Sequence, residues 1–243
     1  MNIKEKIHVL HRAWRYRLRE EKESVAYLLN QDLAGKTLVD IGANKGVYTY
    51  WMSKKAGNSG RVIAFEPQPE LGNFLDELRS SFGLKNVEVV NRGLSEQAGS
   101  FTLARNKVGG GGAYLKQQNA GPQNSSHDVV VDVTTLDDFF QNRKIDNLAF
   151  VKCDVEGHEL SVFRGGENTL KEHRPTLLFE CHHQQAAEGS LFAYLKALGY
   201  HGFFLVKGKP IPAADFAQYP YQRSSSSHRN YIFTHLHQQS VNS

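Results

Sequence analysis

Residues Thr37 to Tyr50 read TLVDIGANKGVYTY: a short apolar run ending in Asp40 and Ile41, a turn of small residues, then a segment compatible with a helix. This is the pattern of a strand feeding a helix through a tight loop. Gly42 permits a sharp turn and close approach of backbone to a ligand, while Gly46 lets the following helix sit near the strand. Amides at the helix N-terminus would face that ligand. The spacing is G-x-x-x-G, so the dinucleotide fingerprint G-x-G-x-x-G is absent. Asp40 ahead of the glycines would repel a pyrophosphate and stabilise a cationic methionine moiety. The expected cofactor is therefore S-adenosylmethionine.

Downstream of this turn, short apolar runs alternate with helical stretches, the signature of repeated βαβ units around a mostly parallel sheet. Strands are expected at 37–41, 61–65, 87–91, 148–154, 175–180, 202–206 and 231–234, with helices near 47–55, 69–82, 162–173 and 190–198. The last two strands lack a long helix between them and should finish the sheet antiparallel at one edge. Two further extended runs, 100–104 and 128–134, read as an inserted hairpin. Between them Gly109 to Gly112 form no stable element and serve either as a lid or as a connector. The polar run at 224–227 reads as a loop. The second main strand ends in Glu66 and Pro67, where a carboxylate is able to accept both ribose hydroxyls of an adenosine.

Composition agrees with one large globular unit. The chain has 243 residues, of which 40% are hydrophobic and 22% charged, enough to bury a core. Residues 1–34, with apolar positions at helical spacing, form an N-terminal helical extension, and 35–243 form the main domain. The 29 Lys and Arg against 25 Asp and Glu leave a net charge of +4, which does not mark a dedicated nucleic-acid binder. The cations of the N-terminal segment read as a solvated helix face rather than as contacts to an anionic surface. No apolar run reaches the ~20 residues needed to span a bilayer, so no membrane insertion is expected. The two cysteines, Cys153 and Cys181, read as buried fillers suited to a reducing compartment, and the expected location is cytoplasmic.

Further blocks follow the turn in order: VIAFEPQPE, NVEVVNRGLSE, VDVTTLDDFF, AFVKCDVEGHELSVFRGGENTL and PTLLFE. Together they resemble the FkbM family of S-adenosylmethionine-dependent methyltransferases. The resemblance implies a class I methyltransferase fold, a Rossmann-like α/β architecture whose seven strands run in the order 3-2-1-4-5-7-6 with the seventh antiparallel. It also implies methyl transfer to a hydroxyl oxygen. By the same resemblance Asp40, Gly42, Ala43, Asn44 and Gly46 line the methionine end, Glu66 with Pro67 holds the ribose, and Gly93 and Leu94 border adenine. His158 in the EG-x-E segment and Arg92 before Gly93 depart from the residues frequent there, which leaves the adenine edge and the acceptor pocket less defined than the glycine turn.

Lys152, Asp154, Glu156, His158 and Glu159 crowd one strand end, and Glu180, His182 and His183 the next. In a parallel sheet both groups lie on the carboxyl edge, where open α/β folds bind ligands. A hydroxyl acceptor needs a base within hydrogen-bond reach. Asp154 is the first candidate, then Glu180, His158 and His182. Glu159 reads as an exposed acid in the first turn of a helix, and Glu156 as either a turn-bonding side chain or a substrate contact. No metal-binding spacing is present. His182 and His183, adjacent on a strand, should point apart. The acceptor expected is a small molecule or a carbohydrate. Two other readings remain: a non-catalytic cofactor-binding module, and an N-methyltransferase, although the D/N-P-P-Y signature of amino-group methylation is replaced here by DVEG. A dehydrogenase using NAD ranks third.

Overall fold

The computed structural model describes residues 1–116, 126–141, 143, 145–219 and 228–235; the loop expected at 224–227 lies outside them. The chain opens with α1 (Ile3–Arg15), a π-helical turn (Tyr16–Glu20) and α2 (Lys22–Asn30). Alternation then begins: β1 (Thr37–Ile41), α3 (Val47–Ala56), β2 (Arg61–Phe65), α4 (Pro69–Ser81) and β3 (Val87–Val90). Four short strands follow, β4 (Gly93–Leu94), β5 (Gly99–Ala104), β6 (Tyr114–Leu115) and β7 (Val129–Thr134), and then α5 (Leu136–Gln141). The second half comprises β8 (Leu148–Cys153), α6 (Glu159–Arg164), α7 (Glu167–His173), β9 (Thr176–His182), α8 (His183–Glu188), α9 (Ser190–Ala197), β10 (Tyr200–Val206), β11 (Lys209–Pro212) and β12 (His228–His235).

The main sheet runs β3-β2-β1-β8-β9-β12-β10-β11. Neighbours from β3 through β9 pair parallel, and β12 is antiparallel to both β9 and β10. Seven of these strands follow the order expected of a class I methyltransferase. The last expected pair, β10 and β12, finishes the sheet antiparallel toward one edge as expected. One detail differs from the sequence reading: an eighth strand, β11, forms the edge itself. Lys209-Pro-Ile-Pro212 reads as a connection because prolines cannot donate to a ladder, and an edge strand is where they are tolerated.

The expected hairpin is present as β5 and β7, paired antiparallel, with β6 added to β5 and β4 added parallel to β7. The single helix expected over 162–173 is two helices, interrupted at Gly165 and Gly166 where the chain passes against Ser95 and Leu136.

Side chains alternate across the sheet, and the alternation sorts the core into two layers. Val39, Ile41, Ile63, Phe65, Val151, Cys153, Leu177, Phe179 and Cys181 face one side. Leu38, Val62, Phe150, Leu178 and Ile232 face the other, packed with Trp51 and Met52 of α3 and with Val9, Ala13, Val25 and Leu28 of the leading helices. Full burial of Val25 or Leu28 contributes about 1.5–3 kcal/mol each. The first thirty residues thus share the core of the sheet. Both cysteines are buried and free.

Candidate active site

The same alternation places the polar residues. Asp40 shares the face of Leu38, Lys152 that of Phe150, and Glu180 that of Leu178, because each pair is two positions apart. Asp40 stands opposite Lys152 in the β1–β8 register, and Glu180 opposite Asn230 in the β9–β12 register. A polar row therefore crosses the sheet beneath α3 and the N-terminal helices.

Asp40 is 2% exposed, and its carboxylate accepts the Thr49 hydroxyl of α3 at 2.5 Å. It does not line the cleft expected to hold the methionine end, and neither do Ala43 or Gly46. Burial raises its pKa to about 6, against the lowering effect of the Thr49 hydrogen bond and of Lys152. Any influence of Asp40 on a cationic ligand therefore acts through the loop it underlies and through its field.

The loop itself is built by its backbone. Gly42 has φ +76°, and a Cβ there would lie 2.0 Å from the carbonyl oxygen of Asp154; only glycine lets β1 and β8 close this junction. The amides of Gly42 and Ala43 both donate to Phe65 O at 2.9 Å, and the Asn44 amide donates to Glu66 Oε2 at 2.8 Å. These amides are consumed within the loop rather than turned toward a ligand. Gly46 has φ +72°, and a Cβ on it would meet Leu75 Cδ2 at 2.8 Å. Its small size admits α4, not the strand.

A cleft of about 320 Å³ opens at the carboxyl ends of β1, β2, β8 and β9. Gly42, Asn44, Glu66, Pro67, Gly93 and Leu94 line it on one side, and Asp154, Glu156, His158 and Glu180 on the other. Six of the nine residues expected around the cofactor and three of the four acid–base candidates thus meet in one space. His182 stands outside the lining, with Nε2 3.7 Å from Glu156 and its ring edge-on to His228. His183 turns away from it and packs against Phe216.

Glu66 is 3% exposed yet borders the cleft. Oε1 accepts the Gln68 amide at 2.9 Å while Oε2 accepts Asn44, leaving further lone pairs for hydroxyl donors. Burial raises its pKa to about 7, opposed by those two amides. Gly110 to Gly112 form a wall of the cleft, tethered where Gln68 Nε2 donates to Gly110 O at 3.1 Å. Gln68 and the apolar Phe65, Leu103 and Leu115 complete that side.

At the opposite end Lys152 Nζ lies 3.4 Å from Asp154 Oδ2, with the Lys152 side chain 2% exposed and that of Asp154 36%. The Lys152 ammonium sits over the Tyr48 ring, 5.1 Å from its centre. Tyr48 donates to Glu21 at 3.1 Å, and Asn230 donates to the same Glu21 oxygen. Burial drives Glu180 well above the usual carboxylate range, and the Asp154 charge adds to it. Burial lowers His228, whose Nε2 lies 2.7 Å from Glu180 Oε1. Both directions favour the uncharged forms of this pair.

Glu159 is buried, not exposed. Its Oε1 accepts the amides of Val155 at 3.1 Å and Gly157 at 3.3 Å, so Glu159 holds the turn in place of Glu156. His158 Nε2 pairs with Ser95 Oγ at 2.8 Å, and burial lowers its pKa. Tyr16, Glu20, Glu21 and His228 also line the cleft. No motif marks the first three, and His228 lies three residues before the start expected for the last strand. Among the described residues no group of three or more His, Cys, Asp or Glu is arranged to hold a metal ion.

The buried carboxylates set a pH dependence. Asp40, Glu66, Glu159, whose pKa burial raises to about 7, and Glu180 keep protons in the folded chain that the unfolded chain releases near its ordinary carboxylate range. Where the folded state holds more protons, stability falls as pH rises. The ligand-free protein is expected to melt higher at about pH 5.5 than at about pH 8, by on the order of 5 °C. A melting temperature that instead climbs across this window in scanning calorimetry would show these acids ionised.

Residues 40–201 match the methyltransferase FkbM domain model. The chain belongs to the FkbM methyltransferase family. It carries the class I methyltransferase fold. The chain is 30% identical over 159 residues to the hexuronic acid methyltransferase AglP of Haloferax volcanii, a match covering 65% of this chain and 62% of that protein. It therefore spans less than two thirds of that curated relative. Among solved structures, the FkbM methyltransferase of Methylobacillus flagellatus superposes with a TM-score of 0.57 at 17% identity, over 85% of this chain and 45% of that one. A methyltransferase of Streptococcus mutans, solved with S-adenosylhomocysteine, gives 0.54 at 10% identity over 90% and 98% of the two chains. At such identities the likeness concerns the fold.

Among the described residues no helix is long and apolar enough to cross a membrane.

Proposed function

We propose that this FkbM methyltransferase transfers a methyl group to a hydroxyl oxygen of a carbohydrate or another small hydroxylated molecule. The observation that carries the reading is that Glu66 and Asp154 line the same cleft from opposite strands. One carboxylate suits the ribose of the donor, and the other suits the proton of the acceptor. S-adenosylmethionine, when bound, would supply an electrophilic methyl group on a sulfonium. Asn44, Gly93 and Leu94 line the cleft that would hold it, and Gly42 and Pro67 shape the turns that hold Asn44 and Glu66.

An alcohol is a poor nucleophile at neutral pH, so its proton must leave as the new carbon–oxygen bond forms. Asp154 is the residue we assign to that proton. It is partly open to the cleft, and the buried Lys152 ammonium holds its carboxylate in position. Glu180 ranks below it because its carboxyl group is paired with His228. His158 is engaged by Ser95, and His182 acts at most through Glu156. Similarity to a relative named for a hexuronic acid supports a carbohydrate as the acceptor class.

The experiment is incubation with methyl-labelled S-adenosylmethionine and hydroxylated metabolites, oligosaccharides and amines, followed by chemical analysis of the labelled product. Label in a base-stable ether is the expected result. Label on nitrogen, or cofactor binding without formation of S-adenosylhomocysteine from any acceptor, overturns the reading.

A further inference from the structure

Helix α1 and the π turn after it carry large apolar side chains on their outer surface. Ile3 is 77% exposed, Ile7 61%, Trp14 45% and Leu18 58%. At 100° per residue Ile3, Ile7 and Trp14 of α1 fall within about 40° of arc, so they form one stripe along the helix, and the exposed Leu18 follows in the π turn. Val9 and Ala13, the buried residues of α1, lie on a different face and anchor it to the core. Trp14 also touches α3 through Trp51, so the free part of the stripe is Ile3, Ile7 and Leu18.

Cations border the stripe on both sides. On the helical wheel of α1 Lys4 and Arg15 fall on one flank and Lys6 on the other, with Arg17 beside Trp14 in the turn that follows. Between residues 3 and 19 there are six Lys and Arg against the single acid Glu5. Glu5 is turned to the far side, where it completes a capping box with Asn2. Trp14 stands edge-on to Trp51 at 5.3 Å, with the Arg17 guanidinium 4.8 Å from both rings. A purely solvated face would not expose Ile3, Ile7 and Leu18 together.

We propose that α1 and its π turn form a docking surface for an anionic lipid bilayer, lying in the interface with Ile3, Ile7 and Leu18 among the acyl chains and the flanking Lys and Arg among the headgroups. An exposed apolar stripe with cations on both edges is the chemistry such an interface selects. A soluble acidic partner would engage the cations and leave the stripe wet. A second copy would set the cations of one helix against those of the other. Tyr16 and Glu20 of the π turn also line the cleft. Docking therefore brings this rim of the cleft to the headgroups, a consequence that rests on the cleft being the methyl-transfer site; the lipid binding itself does not.

The test is sedimentation of the full chain with vesicles of phosphatidylcholine alone and of phosphatidylcholine mixed with phosphatidylglycerol. Binding to the mixed vesicles, released by added salt and weak on the neutral ones, is expected. The variant Ile3→Ser/Ile7→Ser/Leu18→Ser should reduce the partition coefficient about tenfold or more, and Lys4→Gln/Lys6→Gln should also reduce it. All five positions are surface positions, so both variants should keep the melting temperature and cofactor affinity of the parent, which separates this test from that of the proposed function. Absence of binding to the mixed vesicles, equal binding by the triple variant, or self-association of the parent that the triple variant abolishes would each overturn the proposal.

Discussion

Replacing Asp154 by Asn is expected to lower the methyl-transfer rate constant by about 10²- to 10⁴-fold, the range over which a positioned general base contributes. The amide keeps the shape of the side chain and loses its capacity to take a proton. Cofactor affinity should stay within about threefold, because the proposed ribose contact is Glu66 on another strand, and a change confined to the reacting step leaves ground-state binding in place. Asn at 154 also deprives the buried Lys152 ammonium of a charge partner at 3.4 Å. Some loss of stability should accompany the change, and it is measured separately by thermal melting. The decisive readout is single-turnover kinetics at saturating cofactor. A rate equal to that of the parent would remove Asp154 from the role of base and return attention to Glu180.

The second large effect is expected at Glu66. Glu66→Ala should weaken S-adenosylmethionine binding by about 10²-fold or more, since hydrogen bonds to a charged acceptor contribute about 1.5–3 kcal/mol each and two ribose hydroxyls would lose theirs. The amides of Asn44 and Gln68 lose their acceptor as well, so the glycine turn and the second strand end are no longer tied together. The titration supplies a finer test. Glu66 has a pKa of about 7 in the ligand-free chain, and a carboxylate accepts hydroxyls better than a carboxylic acid does. Affinity in the parent should therefore fall as pH is lowered through about 7, and that fall should vanish in Glu66→Gln. Isothermal calorimetry at several pH values measures both. Unchanged affinity in a folded Glu66→Ala would place the ribose elsewhere.

Asp40 shows why the two acids flanking the glycine turn part company. Both sit at strand ends, and the sequence reading gives each a place at the ligand, Asp40 at the methionine end and Glu66 at the ribose. Yet Asp40 is one residue short of the end of β1, so strand alternation sends its side chain to the α3 face and into the Thr49 hydroxyl. Glu66 lies one residue past β2, where the chain leaves the ladder and the side chain is able to reach the turn and the cleft. One position relative to the strand end separates a buried polar anchor from a residue that lines the cleft.

The order of elements, the mostly parallel sheet, the inserted hairpin and the cleft at the carboxyl edge were all legible along the chain, because each rests on local periodicity or on turn chemistry that neighbouring residues carry by themselves. The glycine turn and Glu66 belong to this legible part. What only the tertiary structure decided is which distant residues share a space. Glu21, Tyr48 and Asn230 bond together around Lys152 although they come from the first helices, the first βα unit and the last strand. Lys209 to Pro212 become a strand because β10 offers them an edge. Glu159, which reads as an exposed helix-start acid, is buried because the turn before it folds back onto its carboxylate. The physical reason is common to these cases: a side chain's neighbours across a sheet depend on strand order and register, which are set by packing the whole core, whereas periodicity reports only the face on which a residue lies.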